Sequence, residues 1–535
     1  MWDCGRHIEA HTYMTRRSSW LFAGVLALFA VSAQAGTDVV HVTQGALSGT
    51  VDHGARAWLG IPFAAPPVGD RRWTPPAPTA SWAGLRPADH FAASCEQDVD
   101  PQGFGPWTHE YVTAGPVSED CLYLNVWAPA KPVKTRPVLV WIYGGGFNSG
   151  SGAVPIYNGA ALAAKGIIVV NMNYRVGLYG FLSHPDLDKE NPQGASGNYG
   201  LMDQIAALKW VRANIAAFGG DPDNVTIAGQ SAGSASVHAL IDSPAAKGLF
   251  VRAIAESGSG MGIVFTDHAT ADANGATFAQ AAGATTLAQL RALTANQLGA
   301  AAKTAGVNFG PSIDGAVFAD AATANGGNTN DVPVLTGMTA NESSSSLAHG
   351  STIATPDDLR RSISRHYGAD AASIATLYPA NDDTSAPLAK AALARDRGLA
   401  STYLWATHRQ AKSHAAIYAY LWTHIEPGPD SAKYKAFHSS EIPYVFGTLD
   451  TSERPFTAAD RRLSHQAQSY WLNFIRRGDP NGPGLPHWPQ LTPADKLILN
   501  IGDDTHVQPV LEPARLDAFI HYVDNGGAVS LFSPD

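Results

Sequence analysis

"VTIAGQSAGSAS", residues Val225 to Ser236, runs from apolar and β-branched residues into a serine framed by glycines. The pattern Gly229-Gln230-Ser231-Ala232-Gly233 decides nothing by itself, because so short a motif arises by chance in a chain of 535 residues with 52 glycines. Its surroundings decide. The "NVTIAG" run reads as a short buried strand, and the small residues after Ser231 read as the start of a helix. At such a junction Gly229 and Gly233 permit a turn that a Cβ at either place would obstruct. Ser231 would then sit on a nucleophile elbow, its hydroxyl raised above the carboxyl end of a sheet.

The same alternation extends in both directions. "RPVLVWIYGGG" and "GIIVVNMNYR" have the continuous apolar runs of strands buried on both faces. Between the second of these and the elbow, Leu201, Ile205, Leu208, Val211 and Ile215 recur at three- and four-residue intervals, which predicts an amphipathic helix ended by Gly219-Gly220. "FVRAIAESG" adds a further strand, and "AAIYAYLW" is a candidate last one. Strands and helices in series imply right-handed crossovers and an α/β fold, a mostly parallel central sheet flanked by helices. The Ala-rich stretches 260–330 and 355–420 read as helical insertions capping that sheet.

Composition is globular, with 45% hydrophobic and 15% charged residues. With no long linker, charge block or internal repeat, residues 36–535 are expected to form a single domain. The net charge of −10 is spread along the chain without a Lys/Arg cluster, which argues against nucleic acid as a partner. Arg16 and Arg17, the apolar run Trp20 to Val31 and Ala33-Gln34-Ala35 have the layout of a secretory signal. Residues 1–35 are therefore expected to be removed, with translation starting at Met14 and the mature chain at Gly36. The apolar run is short for a bilayer span, so no stable membrane anchor is expected and the destination is secreted or periplasmic. Cys4 falls in the removed segment, leaving Cys95 and Cys121 as an even pair expected to bond in an oxidising compartment.

A serine hydroxyl is a weak nucleophile. It needs a base, a carboxylate that holds the base in one tautomer, and donors for the oxyanion. "YGGGF" ends a predicted strand, so the N–H groups of Gly145 and Gly146, with that of Ala232, are candidates for the oxyanion hole. For the acid, Glu342 follows the strand-like "DVPVLTGMT", while Glu256 ends "RAIAE" and Asp314 lies in the turn-like "SIDG"; Glu342 ranks first by a small margin. For the base, His438 lies in a loop after "AAIYAYLW", and spacing leaves His408, His424 and His465 open. Phe104 and Trp107, between Cys95 and Cys121, and Gln230 before the serine are candidate lining residues for a substrate gorge. No His/Cys/Asp grouping has metal-ligand spacing, and the chemistry needs neither metal nor organic cofactor.

The blocks "GIPFAAPPVGDRRW", "SEDCLYLNVWAP", "VLVWIYGGGF", "NYRVGLYGFLS", "GNYGLMDQIAALKWVRANIAAFGGDPDNVTIAGQSAG", "FHSSEIPYVFG" and "YWLNFIRRGDPNG" occur in this order. With them the chain resembles the type-B carboxylesterase family of the α/β-hydrolases over nearly all of its mature length. The resemblance implies Ser231 as nucleophile, His438 as base and Glu342 as acid, with Gly145, Gly146 and Ala232 as oxyanion donors and a Cys95–Cys121 disulfide. It implies a small-molecule ester as substrate; a monomer or dimer is expected. Two departures stand out. Gln230 occupies the place before the nucleophile where the family usually has glutamate, and Asn341 and Ser343 flank Glu342 where an acidic residue and glycine are common. In cholinesterase-like members the missing carboxylate lies near a cationic group, which argues against choline esters here.

Overall fold

The apolar runs around the elbow become strands because each is covered by helices on both faces, leaving no solvent side to alternate towards. The computed structural model describes residues 38–531 apart from 133–134, 193, 259–264, 316, 319–328 and 345–353. The described residues belong to one compact unit, which begins at Asp38. The expected signal segment, with Cys4, Met14 and the Trp20 to Val31 run, lies outside the described residues, as does Gly36.

Eleven strands form the main sheet: β1 (Thr50–Asp52), β2 (Ala55–Pro62), β3 (Tyr123–Ala128), β4 (Arg136–Ile142), β5 (Ile168–Met172), β6 (Gly220–Gln230), β7 (Arg252–Glu256), β8 (Val334–Thr339), β9 (Ile417–Trp422), β10 (Leu497–Ile501) and β11 (His506–Pro509). Their spatial order is β11-β10-β9-β8-β7-β6-β4-β5-β3-β2-β1. The strands from β5 to β10 across this order are parallel, and antiparallel strands close both edges. "AAIYAYLW" is thus not the last strand, since β10 and the antiparallel β11 follow it. The chain leaves β4 towards β5 and then crosses back to β6. That reversal opens a crevice at the carboxyl ends of β4 and β6, where α/β sheets hold their ligands.

The helix expected before the elbow is α1 (Tyr199–Asn214), continued by a 3₁₀ turn and closed at Gly219 with φ +93°. It is buried over most of its circumference rather than on one face, because its polar residues have partners inside. Buried Asp203 takes two hydrogen bonds of 2.8 Å from the Arg175 guanidinium, and Gln204 donates to Ser236. Behind the elbow, α2 (Ala232–Asp242) is buried at every residue.

Both Ala-rich stretches contain helices among their described residues. The first forms α3 (His268–Ala281), α4 (Leu287–Ala292) and α5 (Ala295–Ala305), whose Phe278, Leu290 and Leu298 pack with Leu178, Phe181 and Leu182 in a second apolar core. The second forms α6 (Pro356–Tyr367), α7 (Ala371–Leu377) and α8 (Ser385–Gln410), which join the main core. Then α9 (Ala458–Arg477) starts at a Thr457/Asp460 capping box and stops at Gly478, φ +78°.

Candidate active site

At the end of β6, Ser231 takes φ +59° and ψ −124°, a region that L-residues rarely occupy and that costs roughly 1–3 kcal/mol. The surrounding backbone holds it there: its N–H donates to Glu256 O at 2.9 Å, and its carbonyl accepts from Ala235 N–H at 2.9 Å. A Cβ on Gly233 would lie 2.0 Å from Ile142 O, and one on Gly229 would lie 2.5 Å from the Gly233 carbonyl. Gly144, which sequence reasoning passed over, is equally constrained. Its Cβ would lie 2.7 Å from Gln230 O and 2.9 Å from Ser231 Cβ, so only glycine lets the "GGG" loop close on the elbow.

Glu342 and His438 reach the same end of the sheet on loops after β8 and β9. The loops are laced together: Asn341 pairs with Phe437 in a parallel bridge, and Asn341 N–H donates to Ala436 O at 3.0 Å. Glu342 Oε2 bonds His438 Nδ1, and Oε1 accepts from Thr339 N–H at 2.8 Å. Burial pushes the Glu342 carboxyl up, but the His438 charge and bonds from His438, Ser257 and Thr339 outweigh it and hold the group below the usual carboxylate range. An ionised Glu342 fixes the proton on Nδ1, which makes Nε2 the acceptor nitrogen of the ring, the one that can take a proton.

The Gln230 amide nitrogen lies 3.0 Å from His438 Nε2 and 3.4 Å from Nδ1, which puts the ring beside the residue preceding Ser231. No hydrogen bond links Ser231 Oγ to this ring among the described residues. Catalytic hydrogen bonds are often long before substrate arrives.

Gly145 and Gly146 have φ +106° and +62° and are exposed. Among the described residues, no hydrogen bond uses either N–H. Ala232 opens α2, where the first N–H groups lack an intrahelical partner. The Gly145 and Gly146 N–H groups thus sit on the loop whose Gly144 closes on the elbow, and the Ala232 N–H follows Ser231 directly.

The rival candidates are engaged elsewhere. Glu256 is fully buried at the end of β7 and accepts from Trp471 Nε1 at 2.7 Å. Asp314 caps a turn, accepting from Val317 and Phe318 N–H. His424 bonds Asp460 and Asp503, while His408 and His465 are exposed on α8 and α9. Ser257, which no local sequence pattern signals, contacts Glu342 through its hydroxyl and lies 3.5 Å from buried Glu441.

Cys95 and Cys121 form a disulfide. On the segment between them, Phe104 is 47% exposed and lies against Trp107, which is half-buried. Asp188, His268 and Asp272 come together with ligand atoms within 4.8 Å of one another, a grouping that the sequence spacing did not show. The His268 ring is 2.9 Å from Asp188 and 3.7 Å from Asp272, which ties α3 to the Pro185–Glu190 helix.

Residues 36–519 match the model of the carboxylesterase family. The chain belongs to the carboxylesterase family. Fumonisin B1 esterase of Sphingopyxis macrogoltabida is 38% identical to it, over 88% of this chain and 88% of that protein. Para-nitrobenzyl esterase of Bacillus subtilis (strain 168) is 36% identical over 84% and 92%, and cocaine esterase of Oryctolagus cuniculus 33% over 88% and 92%. A solved PNB esterase structure superposes with a TM-score of 0.77 at 33% identity, covering 90% of this chain and 99% of that one. This carboxylesterase is therefore a carboxylic-ester hydrolase with the α/β-hydrolase fold.

Proposed function

We propose that the esterase works by two-step acyl transfer on Ser231. The bond between Glu342 and His438, set beside the Ser231 elbow, carries this reading. His438 Nε2 takes the hydroxyl proton as Ser231 Oγ attacks the ester carbonyl, and Glu342 stabilises the imidazolium that forms. The developing oxyanion sits on the N–H groups of Gly145, Gly146 and Ala232. His438 then protonates the departing alcohol. Water enters, loses a proton to His438 and attacks the acyl-enzyme, which frees the acid and restores Ser231.

The substrate is a small-molecule carboxylic ester. The names of the related fumonisin B1, para-nitrobenzyl and cocaine esterases favour bulky esters, and Gln230 removes the carboxylate that would face the quaternary ammonium of a choline ester. The N-terminal basic and apolar segments, together with the disulfide, support export followed by signal removal before Gly36, leaving residues 36–535 as one catalytic domain.

Hydrolysis of p-nitrophenyl esters from acetate to palmitate, by the mature protein and its Ser231→Ala variant, tests the reading. Turnover by the first and less than about one per cent of it by the second is the expected result, given the 10⁴-fold scale of triad losses. Equal activity in both would overturn it.

A further inference from the structure

The segment between the two cysteines reaches the base from behind. Trp107 Nε1 donates to the backbone carbonyl of His438 at 3.0 Å, across 331 residues of sequence. The indole stands edge-on to the His438 imidazole and to the Phe437 ring, both at 6.4 Å between centroids. It thus touches the base at its main chain and at its ring.

Trp107 is itself anchored by a buried cation. The Arg454 guanidinium donates to Pro106 O and to Thr108 Oγ1, both at 2.8 Å, gripping the residues on either side of Trp107. Its Nε donates to Glu110 Oε1 at 2.8 Å and lies 3.3 Å from Glu426 Oε1. The guanidinium covers the rings of Tyr111, at 5.5 Å, and of Phe437, at 5.7 Å. Tyr111 closes the circuit by donating to Glu426 Oε2 at 2.6 Å. A planar fork with five donors is the side chain suited to holding several acceptors on one loop while stacking on aromatics.

We infer that Trp107 is a positioning residue for His438, and that Arg454 with Glu110 and Glu426 clamps the disulfide-closed loop so that the indole N–H stays on the His438 carbonyl. The inference rests on His438 being the general base. A loop carbonyl without that bond lets the imidazole wander, and misplacement on the scale of an ångström lowers the chemical step by up to 10²-fold. Burial and the neighbouring carboxylates of Glu110 and Asp460 push the Glu426 carboxyl up to about 8, against Arg454 and the Tyr111 hydrogen bond.

Trp107→Phe keeps the ring and removes only the donor. With p-nitrophenyl acetate it should lower kcat roughly ten-fold while leaving KM within about two-fold. Arg454→Lys keeps the charge and loses the fork, and should reproduce part of that loss. Because both act through one hydrogen bond, the double variant should be no slower than Trp107→Phe alone. Amide hydrogen exchange gives a readout independent of turnover: residues 436–440 should exchange faster in both variants. Where Arg454→Lys fails to fold, Thr108→Val removes one clamp contact instead.

A raised KM with unchanged kcat in Trp107→Phe would make Trp107 a substrate contact and overturn the proposal. So would multiplying effects in the double variant, or unchanged exchange at 436–440. Wild-type protein inactive on every ester, with faster exchange in both variants, would sink the esterase mechanism and leave the clamp standing.

Discussion

The side-chain nitrogen of Gln230 rests 3.0 Å from Nε2 of His438, so the residue before the candidate nucleophile touches the candidate base through a neutral amide. A carboxylate in the same place would attract the imidazolium and make His438 harder to deprotonate. Gln230→Glu should therefore shift the acidic limb of the kcat/KM profile to higher pH. A full profile on p-nitrophenyl acetate checks this. An unmoved limb would mean that residue 230 does not sense the charge on the ring.

The two exposed glycines of the candidate oxyanion hole should tolerate alanine unequally. At Gly146 a Cβ would meet only Asn148 Nδ2, at 4.0 Å, and φ +62° lies in the left-handed region, which alanine enters at about 1 kcal/mol. At Gly145 the Cβ would lie 2.3 Å from Ser149 O and φ is +106°, so the backbone itself must move. Gly145→Ala should lower kcat on the order of 10²-fold, the scale of losing one oxyanion donor, and Gly146→Ala by clearly less. Steady-state kinetics with matched melting curves separates the two; equal losses would contradict the geometric argument.

The elbow was legible in the sequence because its requirement is local: Gly229 and Gly233 flank Ser231, and the strand and helix signals adjoin them. The acid was less so. Glu256 and Glu342 both end buried apolar runs, and what separates them is that Asn341 pairs with Phe437, a contact between loops that no window of sequence contains. The pairing of Trp107 with His438 was hidden for the same reason. In α1 the periodicity found the apolar face and missed the burial of Asp203 and Gln204, because Arg175 and Ser236, which make that burial affordable, lie far along the chain. β10 and β11 escaped notice because short strands after a long helix carry little periodic signal of their own.

The disulfide should contribute measurably to stability. Cys95 and Cys121 are both buried and close a loop with a sequence separation of 26, for which chain entropy suggests roughly 3–4 kcal/mol. The Cys95→Ala/Cys121→Ala variant should melt several degrees below the wild type, and strong reductant should lower the wild-type melting temperature towards the same value. Indifference of the wild type to reductant, beside a destabilised double variant, would show cavity formation rather than cross-link loss.

Glu256 gives the protein a stability that declines towards alkaline pH. Burial pushes its carboxyl up to about 8, against the hydrogen bond from Trp471, and burial likewise raises Glu441 well above and Glu426 to about 8. In the unfolded chain these groups lose their protons near the ordinary glutamate value of roughly 4.3. Between that pH and about 8 the folded state binds more protons than the unfolded one, so stability falls as pH rises and levels off above. Glu256→Gln keeps a carbonyl oxygen for Trp471 and cannot ionise. Its melting temperature should match the wild type near pH 4 and exceed it by a few degrees at pH 8. Melting curves across pH 4 to 9 decide the matter, since parallel curves would mean that Glu256 keeps the same proton affinity folded and unfolded.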